Sequence, residues 1–132
     1  MADTETDAQP RGQLAVRVVA MPADANANGD IFGGWLLSQM DVAGGITAEA
    51  RSRGRVATVA IQSMQFHLPV YVGDVLCAYA DLIRVGRTSM TYAVQAWVIR
   101  RDGHSRVKVT QGEFTYVAIG EDRRPRPVPE EG

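Results

Sequence analysis

Residues 31–53, IFGGWLLSQMDVAGGITAEARSR, are the one convincing helix in the chain, and the fold turns on them. At about 100° per residue, Trp35, Leu36, Leu37, Met40, Val42, Ala43 and Ile46 point in nearly every direction around the axis. No wide polar face opens until Thr47, Glu49 and Arg51. A helix apolar all round is buried, and at this length the burial is expected in protein rather than in a membrane. Ala43, Gly44, Gly45 and Ala48 present little side chain, so another element is expected to pack close there. One sheet covers only one side. A partner subunit is the expected cover for the rest, with loops as the alternative.

Outward from the helix, the chain reads as strands. LAVRVVAM (14–21) is a first strand whose continuation Pro22 limits. ADANANGD (23–30) is a loop of residues that bond to their own backbone or tolerate unusual dihedrals. After Gly54 come VATVAIQSMQF (56–66), DVLCAYADLIRV (74–85), TSMTYAVQAWVIRR (88–101) and RVKVTQGEFTYVAI (106–119). The last three follow turn signals at Gly73, Gly86 and Asp102-Gly103, which favours an antiparallel meander. The pattern predicts an α+β fold in which a curved antiparallel sheet wraps one long central helix. Residues 1–12 are polar and acidic and read as a disordered lead, with 13–120 as the domain. The proline-rich 121–132 is either an extended arm or a disordered tail.

Bulk properties exclude several functions. The 132 residues fit one domain with a modest core. Lysine and arginine (14) nearly cancel aspartate and glutamate (15), giving a net charge of -1. That balance lacks the concentrated positive field of a non-specific nucleic-acid binder, though a few placed arginines suffice for a small anionic ligand. The lone Cys77 has no internal disulfide partner and suggests a reducing compartment. Neither end carries an apolar stretch like a signal peptide or a membrane span, so the expected location is the cytoplasm.

Asp41 sits where a leucine would pack better. Leu37 and Gly34 lie one and two turns before it, and Gly45 and Ala48 continue the same face. It is too far into the helix to cap a start near Gly33 or Gly34. One reading is a structural carboxylate, paired with an arginine or accepting backbone donors. The other is chemistry, because a buried ionised carboxylate is costly unless compensated. Asn26, Asn28 and Gly29 equally suit a simple turn, and Asp30 a helix cap. Their combination with Gly33-Gly34 favours function. Two glycines at a helix start expose N–H groups, let a substrate approach, and can stabilise the oxyanion of an attacked carbonyl. An asparagine amide supplies another donor, with Asp41 as base or nucleophile and an acyl ester or thioester as substrate.

Other chemistries fit less well. GDIFGG lacks the GxxxxGK[ST] pattern of a phosphate loop, and Ser38 has no GxSxG context. His67, His104 and scattered carboxylates offer too few ligands for a metal site, and none is expected.

The chain resembles the hotdog-fold acyl-CoA thioesterases, and within them the short, single-domain bacterial YciA-like hydrolases. The resemblance runs from about Leu14 to Pro129. It is densest in AMPADANANGDIFGGWLLSQMDVAGG (20–45) and continues through GRVATVAIQSMQFHLPVYVGD (54–74) and VGRTSM (85–90). It implies that two protomers pair their sheets edge to edge and assemble further as a trimer of dimers, with active sites between protomers. It places the catalytic aspartate at Asp41, the loop asparagine at Asn26, and the Gly33-Gly34 amides, that of Gly34 above all, beside the thioester carbonyl. Asn26 and Asp41 serving one substrate would then come from different chains. The implied reaction is hydrolysis of an acyl-CoA to free coenzyme A and a fatty acid, with no cofactor, since coenzyme A is part of the substrate and product. Asp41 would act as general base or as nucleophile.

Further residues carry weaker readings. Phe66, Leu68 and Val70 suit an acyl or pantetheine channel and suit a core equally well. Arg84, Arg87 and Arg126 are candidates for the coenzyme A phosphates, with Thr88 and Ser89 adding hydroxyls, against a default of solvated surface. The tail RPRPVP resembles the family's C-terminal segment, and the resemblance implies that it folds back near the nucleotide end of the coenzyme A site. Tyr92 and Trp97 point to opposite faces by parity, and Cys77 reads as an inert buried thiol. The rival functions are an acyl-CoA-binding or sensor module without hydrolysis, a dehydratase, and an assembly protein. Binding alone needs no carboxylate beside the thioester, the helix has no histidine for a dehydratase, and an assembly role leaves Asp41 unexplained.

Overall fold

A computed structural model describes residues 9–131. Strand β1 (Gln13–Val19) leads through a short 3-10 turn (Pro22–Asp24) and the asparagine loop to helix α1 (Gly33–Ser52). Strands β2 (Val56–Phe66), β3 (Val75–Val85), β4 (Ser89–Ile99) and β5 (Arg106–Ala118) follow. They form one antiparallel sheet in the order β1-β3-β4-β5-β2, and the helix packs against all five strands. This is the helix wrapped by a curved sheet that the sequence predicts, and β3-β4-β5 is the expected meander. Residues 1–8 of the expected lead lie outside the described residues.

The helix starts two residues later than its apolar run. The Ile31 N–H donates to the Val70 carbonyl and Asp30 bridges Tyr71, so both residues are tied to the 70–71 segment before the helix begins. Phe32 is the N-cap and offers no side-chain bond, so Asp30 does not cap the helix. At the other end Arg53 turns left-handed and its N–H bonds back to Glu49.

Strand parity builds the core. Met90, Tyr92, Val94, Ala96 and Val98 of β4 alternate onto the helix side, where they meet Leu36, Met40 and Ala48. Trp97 takes the opposite face, as parity requires, and donates its indole N–H to Gln95. Cys77 pairs in register with Trp97 and is buried. On the helix, Val42 and Ile46 each remain 50% exposed. These are the directions for which a single sheet supplies no cover.

Over residues 121–131 the tail is an extended arm. Ile119 bridges Pro125, the Val128 N–H donates to the Arg87 carbonyl, and Arg51 donates to the Pro129 carbonyl at 2.5 Å. Among the described residues, no helix is long and apolar enough to cross a membrane.

Candidate active site

Asp41 lies half-buried midway along α1, and two hydroxyls from the sheet converge on it. Thr58 Oγ1 donates to Asp41 Oδ1 at 2.9 Å. The Tyr116 hydroxyl reaches the same Oδ1 at 3.0 Å and the Asp41 main-chain carbonyl at 3.0 Å, sharing one proton between them. Thr58 on β2 and Tyr116 on β5 are register partners, so their side chains emerge side by side on the helix face. Immediately after Thr58 the ladder slips by one residue, a bulge that bends the strand where it meets the helix. Among the described residues no arginine or lysine pairs with Asp41, and no donor reaches Oδ2. The structural reading of this carboxylate is therefore met at one oxygen and not at the other.

The helix start is arranged differently. The first intrahelical bond is that of the Leu36 N–H to the Phe32 carbonyl, which leaves the N–H groups of Gly33, Gly34 and Trp35 without helical acceptors. Gly33 faces the Phe66 ring, whereas the space a Gly34 side chain would fill is open. An open cleft of about 280 Å³ lies here, lined by Ile31, Gly33, Leu36 and the 66–70 segment. Three predicted site residues, Gly33, Phe66 and Val70, thus meet at one cleft. His67 lines it too.

Asn26 is a turn residue with a spare donor. Its Oδ1 accepts the N–H groups of Asn28 (2.9 Å) and Asp30 (3.1 Å), and its own N–H donates to the Asp30 carbonyl. The simple turn reading is correct as far as it goes. It fixes the amide plane and leaves Nδ2 without an acceptor among the described residues.

The remaining predicted residues gather at the far end of the helix. Arg84 and Arg87 are exposed at the end of β3 and in the β3–β4 turn, with Thr88 and Ser89 half-buried beside them. Arg126 is engaged elsewhere: its guanidinium donates to the carbonyls of Ser52 and Ile119 at 3.0 Å, closing the C-terminus of the helix. Twenty residues at a rise of about 1.5 Å put some 30 Å between the two ends of α1. The same rise puts about 10–12 Å between Asp41 and the Gly33-Gly34 amides of its own chain. No single carbonyl touches both within one protomer.

Thr58 and Tyr116 are the site residues that the sequence reading missed. Burial, and after it the charge of Asp41 and the hydrogen bond to it, push the Tyr116 phenol well above the ordinary tyrosine range. Tyr116 is therefore a permanent donor. The combination offers an oriented carboxylate oxygen, open helix-start donors and an apolar cleft, which suits attack on an acyl carbonyl.

Residues 28–102 match the thioesterase superfamily. Over 132 aligned residues the chain is 48% identical to the acyl-CoA thioester hydrolase YciA of Salmonella typhimurium, covering 98% of this chain and 99% of that one. A hexameric thioesterase of Yersinia pestis has a TM-score of 0.90 at 49% identity, covering 93% of this chain and all (100%) of that one. A hexameric hotdog fold thioesterase of Campylobacter jejuni gives 0.84 at 37% identity, with 89% and 91% covered.

Proposed function

The chain belongs to the thioesterase superfamily, and from that premise we infer that it is an acyl-CoA thioester hydrolase whose reacting group is Asp41. The observation that carries the assignment to Asp41 is a half-buried carboxylate in an apolar helix that, among the described residues, has no cationic partner and has one oxygen hydrogen-bonded and the other open. As general base, Oδ2 takes a proton from water while the water oxygen bonds to the acyl carbon. The C–S bond then breaks, the electron pair leaves on sulfur, and the proton passes to the thiolate. As nucleophile, Oδ2 bonds to the acyl carbon directly while the C–S bond breaks and coenzyme A leaves as the thiolate. Water then cleaves the mixed anhydride, its oxygen ending on the free acid and a proton on the thiolate, and the Asp41 carboxylate is regenerated. Either route yields a free acid and coenzyme A with no cofactor.

The carbonyl oxygen is held by the helix-start donors, the Gly34 N–H foremost, with the Asn26 amide beside it. Because Asp41 lies about 10–12 Å from those donors in its own chain, one substrate is served by two protomers. The protein acts as a homo-oligomer, at least a dimer and in full a trimer of dimers, a reading that the hexameric relatives support. The acyl group enters the Gly33–Phe66–Val70 cleft. We assign Arg84 and Arg87, with Thr88 and Ser89, to the coenzyme A phosphates, and Arg126 to support of the C-terminal arm. The buried, unpaired Cys77 supports a reducing compartment, and we place the protein in the cytoplasm.

The test follows thiol release from short, medium and long acyl-CoAs by wild type and Asp41→Asn, which keeps the shape and removes the base or nucleophile. A fall of about a hundredfold or more in kcat, with the oligomer intact, is expected. Equal rates in both proteins, or no hydrolysis of any thioester, would return Asp41 to a structural role and make the chain an acyl-CoA-binding module.

A further inference from the structure

Tyr116 is a large polar side chain placed on the helix-facing side of β5, where it is only 1% exposed. A buried phenol needs a partner for its hydroxyl, and Asp41 supplies two acceptors: the main-chain carbonyl and Oδ1. The ring reaches that position because residue 44 is glycine. A Cβ there would stand 2.8 Å from ring atoms Cε1 and Cζ of Tyr116 and closer still to its hydroxyl. The ring is held from the other side by Tyr92, edge to face at 6.1 Å and 69°. Thr58, the second donor to Oδ1, sits on the bulged edge strand, whereas Tyr116 is fixed between strands β4 and β2.

Gripping the main-chain carbonyl and the side chain of the same residue restricts the carboxylate's rotation about its own bonds. With Oδ1 held by two hydroxyls, the oxygen that remains for chemistry is Oδ2. We propose that Tyr116 is a positioning residue for thioester hydrolysis, fixing the Asp41 carboxylate so that Oδ2 is the oxygen that activates water or attacks the acyl carbon. The proposal rests on the reading of Asp41 as the reacting group. Tyr116 itself neither gives nor takes a proton in the reaction: burial and the neighbouring carboxylate keep its phenol neutral.

The experiment compares Tyr116→Phe, Tyr92→Phe, Asp41→Asn and the Asp41→Asn/Tyr116→Phe double variant as intact oligomers, reading kcat and KM separately. Tyr116→Phe keeps the ring against Gly44 and Tyr92 and deletes only the hydroxyl. Its kcat is expected to fall about 10- to 100-fold with KM within about twofold of wild type, the signature of a displaced reacting group. Tyr92→Phe deletes an equally buried hydroxyl that lies 3.5 Å from the Thr47 carbonyl and does not touch Asp41; its kcat should stay at the wild-type value. In the Asp41→Asn background the Tyr116 change should cost nothing further. Wild-type kcat for Tyr116→Phe beside an inactive Asp41→Asn overturns this proposal alone. A matching loss in Tyr92→Phe, or an independent loss in the double variant, also overturns it by showing a general packing role. Full activity in Asp41→Asn overturns the reading of Asp41 and this proposal with it.

Discussion

The first turn and the middle of α1 are both glycine-bearing, and the two glycine sites do opposite things. At Gly34 the missing side chain leaves open space beside N–H groups that have no helical acceptors. At Gly44 the missing side chain is filled by Tyr116, whose hydroxyl holds Asp41. On the proposed function, the helix start is left open for a substrate, and the middle of the helix is packed to hold a carboxylate still. A run of small residues in a helix therefore has no single meaning; what occupies the space decides it.

The same substitution separates the two. Gly44→Ala forces a methyl group into the Tyr116 ring and should destabilise the fold by about 1–3 kcal/mol, the usual cost of overpacking a tight contact. Activity should fall with it, because the Asp41 clamp is displaced. Thermal unfolding beside kcat reads both, and an unchanged melting temperature would mean that the ring has room to move. Among the described residues a Gly34→Ala methyl group meets no packing neighbour, and the substitution should stabilise the helix by about 0.5–1 kcal/mol through the lost backbone freedom of glycine. Its kcat/KM should nevertheless drop several-fold, since the methyl group stands where the thioester approaches. Unimpaired kcat/KM would remove Gly34 from that path.

The boundaries of β2 and the order of the β3-β4-β5 meander were legible in the sequence, because β-branched runs bounded by glycine turns leave little choice. Asp41 was legible too, as a charge in an apolar helix. Thr58 was not. Two register slips in β2, between Thr58 and Ala60 and between Gln62 and Gln65, break the parity count that assigns side chains to faces. Tyr116 left a signal that went unused. A tyrosine on the core-facing side of a strand needs a partner for its hydroxyl, and Asp41 is the carboxylate on the buried stretch of the helix. The role of Arg126 depends on the path of the arm, which brings it beneath the last helical carbonyl, and a proline-rich composition does not encode that path. The helix start shifted from Ile31 to Gly33 because long-range bonds to the 70–71 segment override local preference.

On the proposed function, one active site takes its carboxylate from one protomer and its carbonyl-polarising donors from another. Asp41→Asn and Asn26→Ala, each expected to be inactive alone, test this when they are unfolded and refolded together at equal concentrations. Half the dimers formed are hybrids, and in each hybrid one site carries both defects while the other carries neither. Recovery of about a quarter of the wild-type acyl-CoA hydrolysis per protomer is expected. No recovery above the two separate variants, with hybrid oligomers demonstrated in the mixture, would place both residues in one chain's site and contradict it.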